Sequence, residues 1–159
     1  MIKATDDIRM RAILTLVWIT GARIGEILML KKENFKLDLE HNRILILLNT
    51  LKGGVPRELK ISLNTPGIKE IILPYLDRRN NLLFDIGERR TQQLLQKINK
   101  ETNLWLTFHQ FRHSRITYLA RIKRASMAEL LDWTGWATTK EIGTYVIRES
   151  SERLEDEIR

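Results

Sequence analysis

The chain has 159 residues, 43% of them hydrophobic, with 27 Lys and Arg against 20 Asp and Glu for a net charge of +7. That length fits one domain, and that apolar content excludes a wholly disordered chain. The absence of cysteine excludes disulfides, thiolate catalysis and Cys-based zinc sites.

Asp6 and Asp7 stand where helix caps stand, and Ile8, Ile13, Leu14, Val17 and Trp18 follow at helical spacing, so the first predicted helix runs to about Gly21. A second begins near Arg23 and carries Ile24, Ile27 and Leu28 towards Lys32. The period then changes. Phe35–Leu39, Arg43–Leu48 and Leu59–Leu63 are expected to be strands of one small antiparallel sheet, with Gly53, Gly54 and Pro56 marking a turn between the last two. After Pro66 the chain returns to helix, over 67–79, 89–101, 109–122, 127–132 and 140–146. The fold class is therefore α+β, mainly helical, with the small antiparallel sheet near the first third.

Charge is unevenly spread along these elements. Residues 147–159 hold 3 basic and 5 acidic side chains, whereas residues 1–146 hold 24 basic and 15 acidic, a net of +9. Residues 108–125 have five Lys or Arg, two His and no acid, interleaved with Phe111, Tyr118 and Leu119. A helix with that pattern buries one face and offers cations on the other, which suits a polyanion such as nucleic acid. No apolar run approaches the roughly 18–20 residues of a membrane span, and no secretory signal opens the chain. The expectation is a soluble cytoplasmic protein with no membrane partner.

Several chemistries find no residues here. No phosphate-binding Walker loop, dinucleotide-binding glycine pattern or G-x-S-x-G elbow is present. His109 and His113 have the i, i+4 spacing of a zinc-protease helix, but Gln110 replaces the glutamate base and no third ligand follows, so no metal and no cofactor is expected. What remains is a set of cations. Arg23 lies at a helix start, where free N–H groups also favour an anion, and Glu26 is three residues on, in reach of its guanidinium. Lys52 adjoins the two turn glycines. His109 and Arg112 are i, i+3 neighbours and project together, with His113 alongside. Read singly, each has an ordinary role: a helix ion pair, a solvated turn lysine, a helix cap.

Their order is informative. Thr20–Glu26 (TGARIGE), Leu51–Arg57 (LKGGVPR), His109–His113 (HQFRH) and Gly135–Tyr145 (GWATTKEIGTY) resemble, in sequence and in order, the catalytic domain of the tyrosine recombinase or phage integrase family. The last motif departs from that family's usual L-G-H wording, reading Asp132-Trp133-Thr134-Gly135-Trp136, and Trp136 is chosen over Trp133 because it precedes Tyr145 by nine residues. The resemblance implies that Tyr145 is a nucleophile forming a 3′-phosphotyrosine, that Arg23 and Arg112 clamp the non-bridging oxygens and that Lys52 is the general acid. It further implies that His109 assists proton transfer, that Trp136 donates a hydrogen bond and packs the site, that Glu26 orients Arg23 and that His113 supports the site from behind. Of the other tyrosines, Tyr118 is expected in the core and Tyr75 on the surface.

The implied organisation is a catalytic domain over 1–147, without the family's N-terminal core-binding domain, followed by a charged tail helix over 148–159 that docks on a neighbour or folds back. The implied activity is site-specific DNA recombination or integration, without metal or ATP. Its partners would be double-stranded DNA attachment sites and other copies of the chain, a tetramer on DNA. A type IB topoisomerase shares the same residue chemistry, and a basic DNA-binding module without catalysis would share the charge.

Overall fold

The computed structural model describes residues 2–50, 55–136, 138–140 and 142–143, apart from the side chain of Lys3. The first helix, α1 (Ile8–Thr20), starts where Asp7 accepts hydrogen bonds from the N–H groups of Arg9 and Met10. It stops at Gly21, whose φ of +65° is the left-handed conformation that ends a helix without steric cost. Met10, Ala12–Val17, Ile19 and Thr20 are all buried, so α1 is the hub on which the other elements pack. A helix apolar on nearly every side must be surrounded.

Helix α2 (Ile24–Leu28) is shorter than the sequence pattern suggests. Leu30 N–H turns back to the Ile27 carbonyl, and Asn34 Oδ1 accepts from Lys31 N–H, so a tighter turn over Lys32–Asn34 replaces the last helical turn. Strands β1 (Phe35–Asp38), β2 (Arg43–Leu48) and β3 (Arg57–Ser62) form an antiparallel sheet in chain order, with Phe35 opposite Ile46 and Leu48 opposite Arg57. Asp38 ends β1 by accepting from His41 and Arg43, which together hold its carboxyl down at about 2. The inner face carries Ile44, Ile46 and Leu48 from β2 and Arg57, Leu59 and Ile61 from β3, at the strand period of two. Arg57 is the polar member of that buried row.

The segment expected as one helix over 67–79 is a wide π-helical turn (Ile68–Ile72) followed by α3 (Leu73–Asp77). Pro74 has no N–H to return to the carbonyl four residues back, so the regular ladder cannot run through it. Helices α4 (Glu88–Thr102), α5 (Phe108–Arg121) and α6 (Met127–Thr134) agree with the sequence pattern to within two residues at each end. Thr107 and Ser126 cap α5 and α6 through their side chains. The main core joins α1, the sheet, α3, α4 and the start of α5. A smaller cluster of Leu119, Ala120, Leu130 and Ile142 joins α5 to α6, with Trp133 and Trp136 against it.

Two expectations are corrected. Tyr75 is buried at 4% exposure, stacks on Phe84 and donates its hydroxyl hydrogen bond to the Leu83 carbonyl. Tyr118 is 38% exposed, with the Arg115 and Lys123 cations near its ring. Tyr75 points inward because its hydroxyl finds an acceptor in Leu83 and its ring a partner in Phe84, whereas the Tyr118 ring stays near the surface as a stacking partner for cations. Among the described residues no helix is long and apolar enough to cross a membrane. The tail 148–159 lies outside the described residues, as do most of the residues expected as a helix over 140–146.

Candidate active site

The turn from α1 to α2 builds the first wall of the site. Gly21 allows the chain to reverse, and Arg23 then occupies the cap position of α2 with its side chain 47% exposed. Beneath it the Glu26 side chain is fully buried and accepts three donors: Arg23 N–H at 3.0 Å, the Arg23 guanidinium at 3.4 Å and the Arg57 guanidinium at 2.9 Å. Burial pushes the Glu26 carboxyl up, but the hydrogen bond and charge of Arg57, the Arg23 N–H and the Arg112 charge outweigh it and hold the group below its ordinary range. Glu26 is therefore a fixed anion. It holds the Arg23 guanidinium on the cleft side of the turn.

Helix α5 supplies the second wall. Arg112 is buried, and its Nη1 donates to the Gly21 carbonyl at 2.6 Å, tying α5 to the reversal that presents Arg23. The Trp136 ring lies 5.0 Å from the Arg112 guanidinium carbon, a cation–π distance. His109 is exposed one turn earlier on α5. Arg23, His109, Arg112 and Trp136 line a single cleft of about 890 Å³ together with Ile24 and the inner side of α4, and Trp105 stands 74% exposed at its margin.

Of the remaining expected residues, His113 does not line this cleft; its Nδ1 lies 3.4 Å from Thr117 Oγ1, one turn along α5. Lys52 and Tyr145 lie outside the described residues. Among the described residues, no group of three or more His, Asp or Glu could hold a metal ion.

Sequence reasoning assigned no part to three residues that the structure places around the site. Arg57 joins Glu26 to the Trp133 carbonyl, to which its Nε donates at 2.8 Å. Trp133 in turn donates its indole N–H to the Thr20 carbonyl at 2.7 Å, so it braces α6 against the end of α1 while Trp136 faces the cleft. Arg115 lies over the Trp133 ring at 5.3 Å, and burial pushes its guanidinium pKa down. A signal for Arg57 was present in the strand alternation, which puts it on the same face as Leu59 and Ile61.

With two guanidinium groups and an imidazole on one cleft, the arrangement can bind a tetrahedral oxyanion and stabilise charge developing on it. The sequence model of the phage integrase family matches residues 1–151. Tyrosine recombinase XerA of Pyrococcus horikoshii is 27% identical over 167 residues, covering 96% of this chain and 57% of that protein. This chain thus spans little more than half the length of that relative. Among solved structures, a post-cleavage complex of XerH site-specific recombinase with a palindromic difH substrate superposes with a TM-score of 0.76 at 23% identity, over 95% of this chain and 45% of the other. A lambda integrase dimer bound to a COC′ core site superposes at 0.69 with 15% identity, over 91% of this chain and 44% of the other. At those identities the likeness is one of fold.

Proposed function

The chain belongs to the phage integrase family, and on that premise we propose that it is the catalytic domain of a site-specific recombinase that cuts and rejoins DNA strands through a 3′-phosphotyrosine. The observation that carries the proposal is the convergence of Arg23, His109, Arg112 and Trp136 on one cleft, from a turn, a helix and the segment after α6. In the proposed reaction the Tyr145 oxygen forms a bond to phosphorus and the bond from phosphorus to the 5′ oxygen breaks. The phenol gives up its proton, assisted by His109, and Lys52 supplies one to the leaving 5′ oxygen. Arg23 and Arg112 stabilise the charge on the non-bridging oxygens. Such positioning and charge stabilisation are the main sources of catalysis in phosphoryl transfer. The phosphotyrosine retains the energy of the broken ester, so a 5′ hydroxyl can reverse the step without ATP, and no metal is required.

Residues 1–147 are the catalytic unit in this reading and 148–159 a tail that docks on another protomer or in cis. The substrate is double-stranded DNA carrying an attachment site in the cytoplasm, and copies of the chain assemble on it as a tetramer. The XerH and lambda integrase structures bound to their DNA sites, the latter as a dimer, support a DNA partner and self-association.

The deciding experiment uses a nicked duplex that loses the 5′ fragment on cleavage, so that the intermediate accumulates. In EDTA the chain is expected to form a covalent adduct that survives denaturant, and mass spectrometry is expected to place it on Tyr145. Tyr145→Phe should abolish the adduct while DNA binding persists. An adduct on another residue, or one dependent on Mg²⁺, would overturn the mechanism. DNA binding with no adduct would instead indicate a binding module, and relaxation of supercoiled DNA without strand exchange a topoisomerase.

A further inference from the structure

Arg57 is the first residue of β3, five positions after Lys52 in the connection from β2. Its side chain is 5% exposed, and it meets the ends of two helices at once. One donor goes to Glu26 in the first turn of α2. Nε goes to Trp133, one of the last carbonyls of α6, which have no partner within the helix and carry the negative end of its dipole. The third corner, Nη1, is buried without a hydrogen-bond partner among the described residues, and it lies against Gly135. A Cβ on Gly135 would come within 2.8 Å of Nη1, so the glycine that ends α6 at φ +66° also makes room for the guanidinium.

We infer that Arg57 is a positioning residue for strand cleavage: its guanidinium fixes the carboxylate that holds Arg23 and, through the Trp133 carbonyl, the start of the segment that carries Trp136. It touches neither the cleft nor the scissile phosphate in this assignment. It acts by making three separate pieces, the α2 turn, the head of β3 and the end of α6, into one unit. The α2 turn carries Arg23, the end of α6 leads to Trp136, and β3 begins five residues after Lys52 in sequence, and the proposed function gives each of these three a part. The planar fork is what the role requires, because its donors diverge at fixed angles to two acceptors on different helices. Lysine keeps the charge but presents a single nitrogen. The inference rests on the proposed function, and the experiment separates the two.

The test measures single-turnover adduct formation on the nicked duplex at saturating protein, alongside DNA affinity and thermal unfolding, for the unaltered chain, Arg57→Lys and Arg57→Met. The expected result is affinity close to the unaltered chain, with an adduct rate reduced by about 10²-fold, the cost of a misplacement near 1 Å. Arg57→Lys keeps the buried charge paired, so it supplies the measurement if Arg57→Met does not fold.

A pH series adds a readout that a purely structural role would not move. The charged groups facing Glu26 are Arg23 from its own helix, Arg57 from β3 and Arg112 from α5. Without Arg57 the carboxylate takes up a proton more readily, so the rate of Arg57→Met should gain an acid-side fall that adding Glu26→Gln removes. Rates of both variants within about threefold of the unaltered chain would overturn the inference. So would rate and affinity falling together with the pH profile unchanged. If the unaltered chain forms no adduct, the proposed function fails instead.

Discussion

Replacing Glu26 by alanine probes the buried charge cluster most directly. The side chain has no exposed surface and serves three donors, and its chief partner Arg57 is 5% exposed. Truncation leaves the Arg57 cation buried with only the Trp133 carbonyl to satisfy it. Removing one member of a buried pair typically costs about 3–5 kcal/mol, because the other charge stays out of water uncompensated. For a chain of this size that corresponds to a fall in Tm of roughly 6–20 °C. Urea unfolding followed by circular dichroism reads the change, and Glu26→Ala with Arg57→Met should cost less than the sum of the single changes by roughly 1–3 kcal/mol. The acid limb supplies a second check. The folded Glu26 carboxyl lies below its ordinary value of 4.5, so its contribution is complete above that pH and is lost as the pH falls through the lower, folded value. Asp7, Asp38, Asp85 and Glu129 are also held low, so every variant loses some stability in acid, but the gap between Glu26→Ala and the unaltered chain should close there. A loss below about 1 kcal/mol at neutral pH, the scale of an exposed pair, would refute the buried-cluster account.

Lys52→Ala is expected to slow cleavage of ordinary DNA by roughly 10²–10⁴-fold, the scale of general acid catalysis, and to recover on a duplex whose leaving 5′ oxygen is replaced by sulfur, which departs without a proton. Arg112→Ala should show no such recovery, since its proposed part is charge stabilisation; a Lys52 defect that persists on the sulfur substrate would remove the general-acid role. Tyr75→Phe is expected to cost about 1 kcal/mol in urea unfolding by leaving the Leu83 carbonyl without its donor. Tyr118→Phe, at an exposed site, should stay within about 0.5 kcal/mol of the unaltered chain. Both variants should still form the adduct, and loss of it in either would move the nucleophile away from Tyr145.

The legible parts of the fold are those whose signal is local. Asp7 and Gly21 bracket α1 because a side-chain oxygen can cap N–H groups and a glycine can adopt φ above zero, and both facts are written in single residues. The alternation in β3 and the apolar run in β2 fixed the sheet for the same reason. The failures are non-local. The end of α2 is decided by Asn34, which folds back on Lys31, and by Asn81, whose carbonyl accepts from Lys32 N–H across the chain. Tyr75 is buried because Leu83, eight residues on, returns to meet its hydroxyl. No periodicity within a short window carries that information.

The site divides along the same line. Arg23, His109, Arg112 and Trp136 could be named from their motifs, and the fold gathers them on one cleft. What the motifs could not state is how a turn, a strand and two helices hold that cleft in shape. The answer lies in contacts between residues distant in sequence: Arg112 to Gly21, Arg57 to Glu26, Arg57 and Thr20 to Trp133. In each, an arginine or indole donor meets a backbone carbonyl or a carboxylate at a helix end or turn. Burying so many donors is costly unless each finds an acceptor at fixed geometry, so a small displacement of any one element leaves a charge unpaired. A network of that kind resists the sliding that a core of aliphatic side chains would tolerate. Phosphoryl transfer depends on holding donors at defined places around phosphorus, and that resistance is the property of this network on which the proposed reaction would draw.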